Sequence, residues 1–267
     1  MKVKGDGIFS INTSATGGFG SAGISLPEAV VEAGGGGDAP PITDNLELFV
    51  NPEADVYSDA GTTLAVDGDN IRQVNDQSSN SIILDQSSAS NQYVFKNDVL
   101  GTGHSGLWVQ DSTKFMEFDS TLTIAGASQS ITFYSVYDKT NTSRINYIYG
   151  AGGNVNFNRI LEFGGNRIYF QDDTGVNHYA SISNANDLGI RAFVLDTSTD
   201  NIKTYFNGTL IGDSTAAKTW GDFNFARFWG QNGMTGYIGQ TLLYSEAHDS
   251  TQVEQVSDWL NDKYSIY

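Results

Sequence analysis

Four groups of side chains in this sequence have the composition and spacing to do chemistry. Asp67-Gly68-Asp69-Asn70 gathers three oxygen-bearing side chains in four residues, and Asp172-Asp173 forms a second such cluster. Hard divalent cations take oxygen ligands, so either loop is a candidate calcium site, although the glycine and distal glutamate of an EF-hand are missing. Asp and Asn also fill turns by bonding their own backbone. Glu117-Phe118-Asp119 alternates so that both carboxylates share one strand face. Two carboxyls about 5 Å apart are what a retaining glycosidase requires. Five aromatic residues, Trp108, Tyr147, Tyr149, Trp220 and Trp229, are candidates to stack on sugar rings, in a chain whose aromatics belong mostly to the core.

Other signals carry less. Gly18-Phe19-Gly20-Ser21-Ala22-Gly23 matches the letters of a dinucleotide fingerprint, but no strand precedes it and no βαβ unit surrounds it. His104, His178 and His248 are far apart, and neither a G-x-S-x-G elbow nor an H-E-x-x-H pair occurs. Sequons at Asn12, Asn141 and Asn207 matter only in a secreted protein. The absence of cysteine excludes disulfides, thiolate catalysis and cysteine-ligated zinc. A net charge of −17 repels phosphate backbones and anionic lipid, which argues against nucleic-acid and membrane partners. No apolar run has the length of a membrane span, and none follows Met1-Lys2-Val3-Lys4 as a signal peptide requires. A soluble protein that does not use the secretory route is expected.

The elements that must position these residues are read from composition and periodicity. Residues 1–41 hold 10 of the 30 glycines and only two aromatics, Phe9 and Phe19, so this segment is expected to be an arm and not a core. It ends in Gly34-Gly35-Gly36-Gly37-Asp38-Ala39-Pro40-Pro41, a flexible run followed by a stiff one. Pro27 to Gly34 has the proline start and glycine end of a short helix. The arm's apolar residues Ile8, Phe9, Ile11, Phe19, Ile24, Leu26, Val30 and Val31 are too few for a core but recur often enough to suggest burial on a partner. Between residues 5 and 71 there are 11 acidic and no basic residues, so such a partner is expected to be neutral or basic.

From residue 42 onward the pattern is β. Thr132–Tyr137, Arg167–Phe170, Ile190–Leu195 and Asn224–Trp229 are rich in strand formers, with Gly, Asn, Asp and Ser between the short strands. No helix-period segment intervenes, which favours a sandwich over a parallel α/β sheet. Thr204-Tyr205-Phe206-Asn207-Gly208-Thr209-Leu210-Ile211 predicts a hairpin with a type I′ turn at Asn-Gly. One amphipathic helix is expected near the C-terminus, with Val253, Val256, Trp259 and Leu260 on one face and Thr251-Gln252-Val253-Glu254 as its capping box. Its expected place is across a sandwich edge or an open end.

These residues carry a resemblance. The Asn207-Gly208 hairpin, then Gly236-Tyr237-Ile238-Gly239-Gln240-Thr241-Leu242-Leu243-Tyr244-Ser245, then a helix closing on Trp259-Leu260-Asn261-Asp262-Lys263-Tyr264, resembles the laminin-G-like, concanavalin A-like jelly-roll domains. Ile71–Asn80 is similar to the family's early W-x-D-x-S-G-N segment, with Val74 at the tryptophan and Ser79 at the glycine. Glu117-Phe118-Asp119 stands where an F-D-G strand end belongs, with Ser120 for the glycine, and Gln240 replaces an acid. The resemblance implies an all-β antiparallel jelly-roll sandwich over 42–267, one C-terminal helix, and an extended N-terminal arm over 1–41. Glucanases of this fold use an E-x-D-x-x-E strand. The closing glutamate is missing here, so a non-enzyme is expected, needing no cofactor and with calcium at the rim loops as the one candidate.

An adhesive fold with no cysteine, no export signal and a glycine-rich arm fits a bacteriophage virion protein, made in the host cytoplasm and acting outside after lysis. The expectation is a capsid decoration, head fibre or tail-associated protein. Its arm would join other virion proteins, its copies would form a homo-oligomer, and its jelly roll would bind glycans. The alternative is the carbohydrate-binding module of a bacterial surface protein, and a glycan hydrolase ranks below both.

Overall fold

The computed structural model describes residues 39–98, 101, 103–111, 113–124, 130–139, 146–150, 159–163, 167–171, 177–181, 188–215, 220, 222–230 and 235–267. The apolar arm residues from Ile8 to Val31, the Gly18–Gly23 run, and Asp172 and Asp173 lie outside them. In chain order the strands are β1 (Leu46–Val50), β2 (Val56–Tyr57), β3 (Asn70–Ile71), β4 (Gln73–Asn75), β5 (Ile83–Asp85) and β6 (Tyr93–Lys96). Then come β7 (Gly106–Val109), β8 (Met116–Ile124), β9 (Ile131–Lys139), β10 (Asn146–Gly150), β11 (Arg159–Phe163) and β12 (Arg167–Gln171). The rest are β13 (Asn177–Ser181), β14 (Gly189–Asp196), β15 (Asn201–Phe206), β16 (Thr209–Thr215), β17 (Phe223–Gly230) and β18 (Gly236–Tyr244), followed by helix α1 (Ser250–Tyr264).

Two antiparallel sheets result. Sheet I runs β16-β15-β14-β9-β18-β7-β6-β3, with β1 also on β18; sheet II runs β13-β12-β11-β10-β17-β8-β5-β4-β2. The expected all-β sandwich with one C-terminal helix is what forms. Its main core lies between the sheets, where alternate residues such as Met116 and Phe118 of β8 meet Phe133, Phe193 and Leu243 of sheet I. Phe133 and Phe193 stack with ring centres 5.6 Å apart. At one edge the two sheets come so close that only glycine fits. A Cβ at Gly212 of β16 would lie 2.4 Å from the Ser181 carbonyl of β13. The Asn207-Gly208 turn takes positive φ at both positions, 49° and 72°, as a type I′ hairpin demands.

The helix occupies a different place from the one the sequence suggests. It lies on the outer face of sheet I, against Tyr134, Val136, Ile190, Val194, Leu242 and Tyr244, with Val253, Val256, Leu260 and Tyr264 buried beneath it. The reason is that β9 and β14 are apolar on both faces, so the outer one has to be covered too. Each fully buried large apolar side chain contributes roughly 1.5–3 kcal/mol. The capping box is also displaced by two residues. Asp249 is the N-cap, its carboxylate accepting from Gln252 N while the Gln252 side chain accepts from Asp249 N. Near the other end of the helix, the Tyr264 hydroxyl accepts from Gln240 N at 3.0 Å. That N–H lies within a register shift of β18 between Ile238 and Thr241. The shift keeps Leu242 and Tyr244 on the same outer face as Tyr237.

The D-x-S-x-N run is structural. The buried Asp76 carboxylate accepts from Phe49 N (2.7 Å), Ser78 N (2.8 Å), Ser78 Oγ (2.5 Å) and Ile82 N (3.3 Å). Asn80 Nδ2 adds bonds to the Glu47 carbonyl and carboxylate. Together these tie β1 to the loop before β5. Replacing Asp76 with Ala strands three buried backbone N–H groups. Urea unfolding should show a loss on the order of 3 kcal/mol or more.

A second prediction concerns pH. His248, beside the helix N-terminus, is buried with Tyr134 Oη 2.7 Å from its Nδ1 and Glu246 Oε1 3.3 Å from its Nε2. Burial pushes its pKa down, opposed by the charges of Glu246 and Asp249. The unfolded chain, with a histidine pKa near 6.5, therefore binds a proton that the fold excludes. This contribution is full at neutral pH and shrinks as pH falls below ~6.5 toward the lowered folded value. Urea midpoints should fall over that range, and His248→Gln should flatten the dependence.

Candidate functional site

The five aromatic candidates separate. Trp220 is core, stacked on Phe223 at 5.9 Å with His178 edge-on at 5.3 Å; at 3% exposure it has no face for a ligand, which corrects its place among the sugar-stacking residues. Tyr147 and Tyr149 occupy β10 positions opposite Gly230 and Phe228, and Trp229 lies in β17; their side chains are outside what is described. Trp108 is half-buried on the outer face of sheet I, because Leu107 and Val109 on either side of it point into the core.

Cross-strand pairing gives Trp108 its neighbours. Tyr237 of β18 stands directly opposite, the two ring planes 25° apart and their centres 6.1 Å apart. Lys96 of β6 holds Nζ 5.7 Å from the Trp108 ring centre and 3.8 Å from Asp67 Oδ2. A cation over an indole face is attracted by the ring quadrupole. The result is an aromatic shelf rimmed by one cation and one anion. The helix stops short of it: Tyr264 packs on Gly239, two residues along β18 from Tyr237. Aromatic faces pack on the C–H faces of sugar rings, and the charged rim supplies donors and acceptors for hydroxyls.

The candidate calcium loop is thus part of this rim. Asp67 Oδ1 accepts from Asn97 N at 3.0 Å, Asp69 Oδ2 accepts from Val66 N at 3.0 Å, and Asn70 pairs with Val94 in the sheet. Among the described residues no three His, Asp or Glu side chains converge as a metal site. Its carboxylates close the turn and hold Lys96.

Glu117 and Asp119 point outward from sheet II, as alternation requires. They stand near the start of their strand and not at its end. Arg227 gives two N–H groups to Glu117 Oε1, at 3.2 and 2.9 Å, with its guanidinium 4.4 Å from the Phe115 ring centre. Asp119 accepts from Ile83 N at 3.0 Å. Glu117 also stands opposite Asp85, which Arg72 holds at 3.0 Å, so two neighbouring carboxylates are flanked by two guanidiniums across the strands. Both members of the glycosidase-like pair are engaged in joining strands.

Sequence reasoning missed Lys96 and Tyr237. Tyr237 lies inside a strand that the sequence marks clearly, but its partnership with Trp108 joins residues more than a hundred positions apart.

No family model matches the chain, and no curated protein matches it. Among solved structures it is similar to the binding domain of Paraclostridial Mosquitocidal Protein 1, with a TM-score of 0.57 and 14% identity over 82% of this chain and 53% of that one. It is similar to the botulinum neurotoxin serotype G binding domain, with a TM-score of 0.55 and 14% identity over 81% and 51%. It also matches the binding domain of botulinum neurotoxin DC in complex with SialylT, with a TM-score of 0.53 and 11% identity over 82% and 52%. The chain spans about half the length of these three structures. At these identities the likeness is one of fold, a β-sandwich.

Proposed function

We propose that this chain is a non-catalytic, lectin-like recognition domain that binds glycans on the Trp108–Tyr237 shelf and serves as an adhesive component of a virion. The observation that carries the glycan reading is the half-buried aromatic pair on sheet I, which no described element covers, with Lys96 and Asp67 at its rim. The likeness in fold to the binding domains of toxins supports it, one of them determined in complex with SialylT. The net charge of −17 favours neutral over anionic sugars. The virion placement is supported by the glycine-rich segment 1–41 ahead of a cysteine-free adhesive sandwich. In this reading that segment joins other virion proteins or copies of itself, and calcium binding at Asp67–Asn70 or Asp172–Asp173 is an optional addition.

A glycan array on the full chain tests the shelf. Trp108→Ala and Tyr237→Ala are each expected to weaken the best neutral ligand about tenfold or more, roughly 1.4 kcal/mol, with unchanged melting temperature. Unchanged binding in the double variant would refute the shelf. Glu117→Ala with Asp119→Ala should leave affinity within about threefold. β-Glucan hydrolysis by the wild type that this pair of substitutions abolishes would make the protein an enzyme. Mass spectrometry of purified virions should detect the chain at stoichiometric level, and deleting residues 1–33 should abolish its incorporation; wild-type occupancy without them would remove the arm from assembly.

A further inference from the structure

A separate cavity of about 230 Å³ opens beside β1, between Ala39-Pro40 and the loop Gln77–Ser79. Its apolar lining is Pro40, Leu46 and Phe49, the Phe49 ring held by Trp259 edge-on at 6.1 Å. One polar lining residue is in an unusual state. Asn51 is fully buried, and its Oδ1 accepts from Glu53 N at 3.1 Å, yet its Nδ2 has no partner among the described residues. A buried amide donor left unpaired is unfavourable, and a ligand acceptor would satisfy it. Gln77 also lines the cavity. Its Nε2 donates to Asp55 Oδ2 and the Asn75 carbonyl, which leaves Oε1 as the acceptor for a ligand hydroxyl. None of the lining residues is basic, and the Asp76 carboxylate lies directly behind Ser78.

We propose that this cavity is a second ligand site, taking one neutral, hydroxyl-rich ring: a pyranose residue without a carboxylate. An acceptor of the sugar meets Asn51 Nδ2, a hydroxyl donates to Gln77 Oε1, and a C–H face packs on Phe49 and Leu46. The volume is below the ~300 Å³ at which drug-sized pockets begin, which suits a single ring. An anionic sugar finds no counter-charge here and an acid nearby.

The test is an amide-resolved NMR titration of the full chain with methyl glycosides of galactose, mannose and N-acetylglucosamine, and with methyl sialoside as the anionic control. The Asn51 side-chain amide is expected to shift saturably with at least one neutral glycoside and not with the sialoside. Ser79→Trp, an exposed change at the mouth, should weaken that titration more than tenfold, as should Asn51→Leu. Should Asn51→Leu not fold, Ser79→Trp decides. Trp108→Ala should leave this titration unchanged, which separates the cavity from the shelf. Absence of any shift with the neutral glycosides, or a shift that survives Ser79→Trp, would overturn the proposal. Overhauser contacts from the Asn51 amide to residues 1–38 would also overturn it, by showing the chain's own N-terminal segment inside.

Discussion

Burial on both faces of one sheet governs this molecule. In β9 the residues Ile131 to Tyr137 are all buried, and β14 is buried from Gly189 to Leu195. Strands of that kind cannot be satisfied by a two-layer sandwich, so sheet I becomes a middle layer with sheet II on one side and α1 on the other. The register shift in β18 keeps the outer apolar side chains in phase, and the Tyr264 hydroxyl satisfies a backbone N–H within it. The aromatic shelf follows from the same constraint. It is where the covering helix ends and the apolar outer face continues.

Much of this was legible from local signals. The Asn-Gly hairpin, the four strand runs rich in β-formers and the existence of the helix depend on steric and periodic preferences that act within a few residues. The position of the helix was not legible, since it depends on which faces of distant strands are apolar once paired. The N-cap moved because Asp249 with Gln252 offers a reciprocal pair two residues ahead of Thr251. Trp220 and Trp108 look alike in the sequence. One is sealed by His178 and Phe223, and the other is left open by the register of β7, a difference that only the assembled sheets create. Asp76 carries a family-like signature that a sequence cannot assign to binding or to structure. Its four hydrogen bonds make it structural.

The sparse basic residues are placed with economy. Arg72, Lys96, Arg227 and Lys263 each meet a carboxylate, at Asp85, Asp67, Glu117 and Glu53 respectively. Glu53 also takes His104 at 2.6 Å, and these two partners hold its carboxyl below the usual range despite burial. Such pairs, all at least partly solvent-exposed, add little stability singly. They fix cross-strand positions within a strongly negative surface, and at Lys96 the pair orients a cation over an aromatic ring.

The hairpin turn has a consequence for chemical durability. Asn-Gly is the dipeptide most prone to deamidation, because the unhindered glycine nitrogen can attack the asparagine amide to form a succinimide. Here Asn207 N donates to the Ile190 carbonyl, and Ile190 N donates back to Asn207 Oδ1. The side chain is thereby held against β14 by a hydrogen bond that ring closure would have to break. The residue that makes the tightest turn is thus also shielded from ageing. Even after conversion to aspartate, an oxygen would remain in place to accept the same hydrogen.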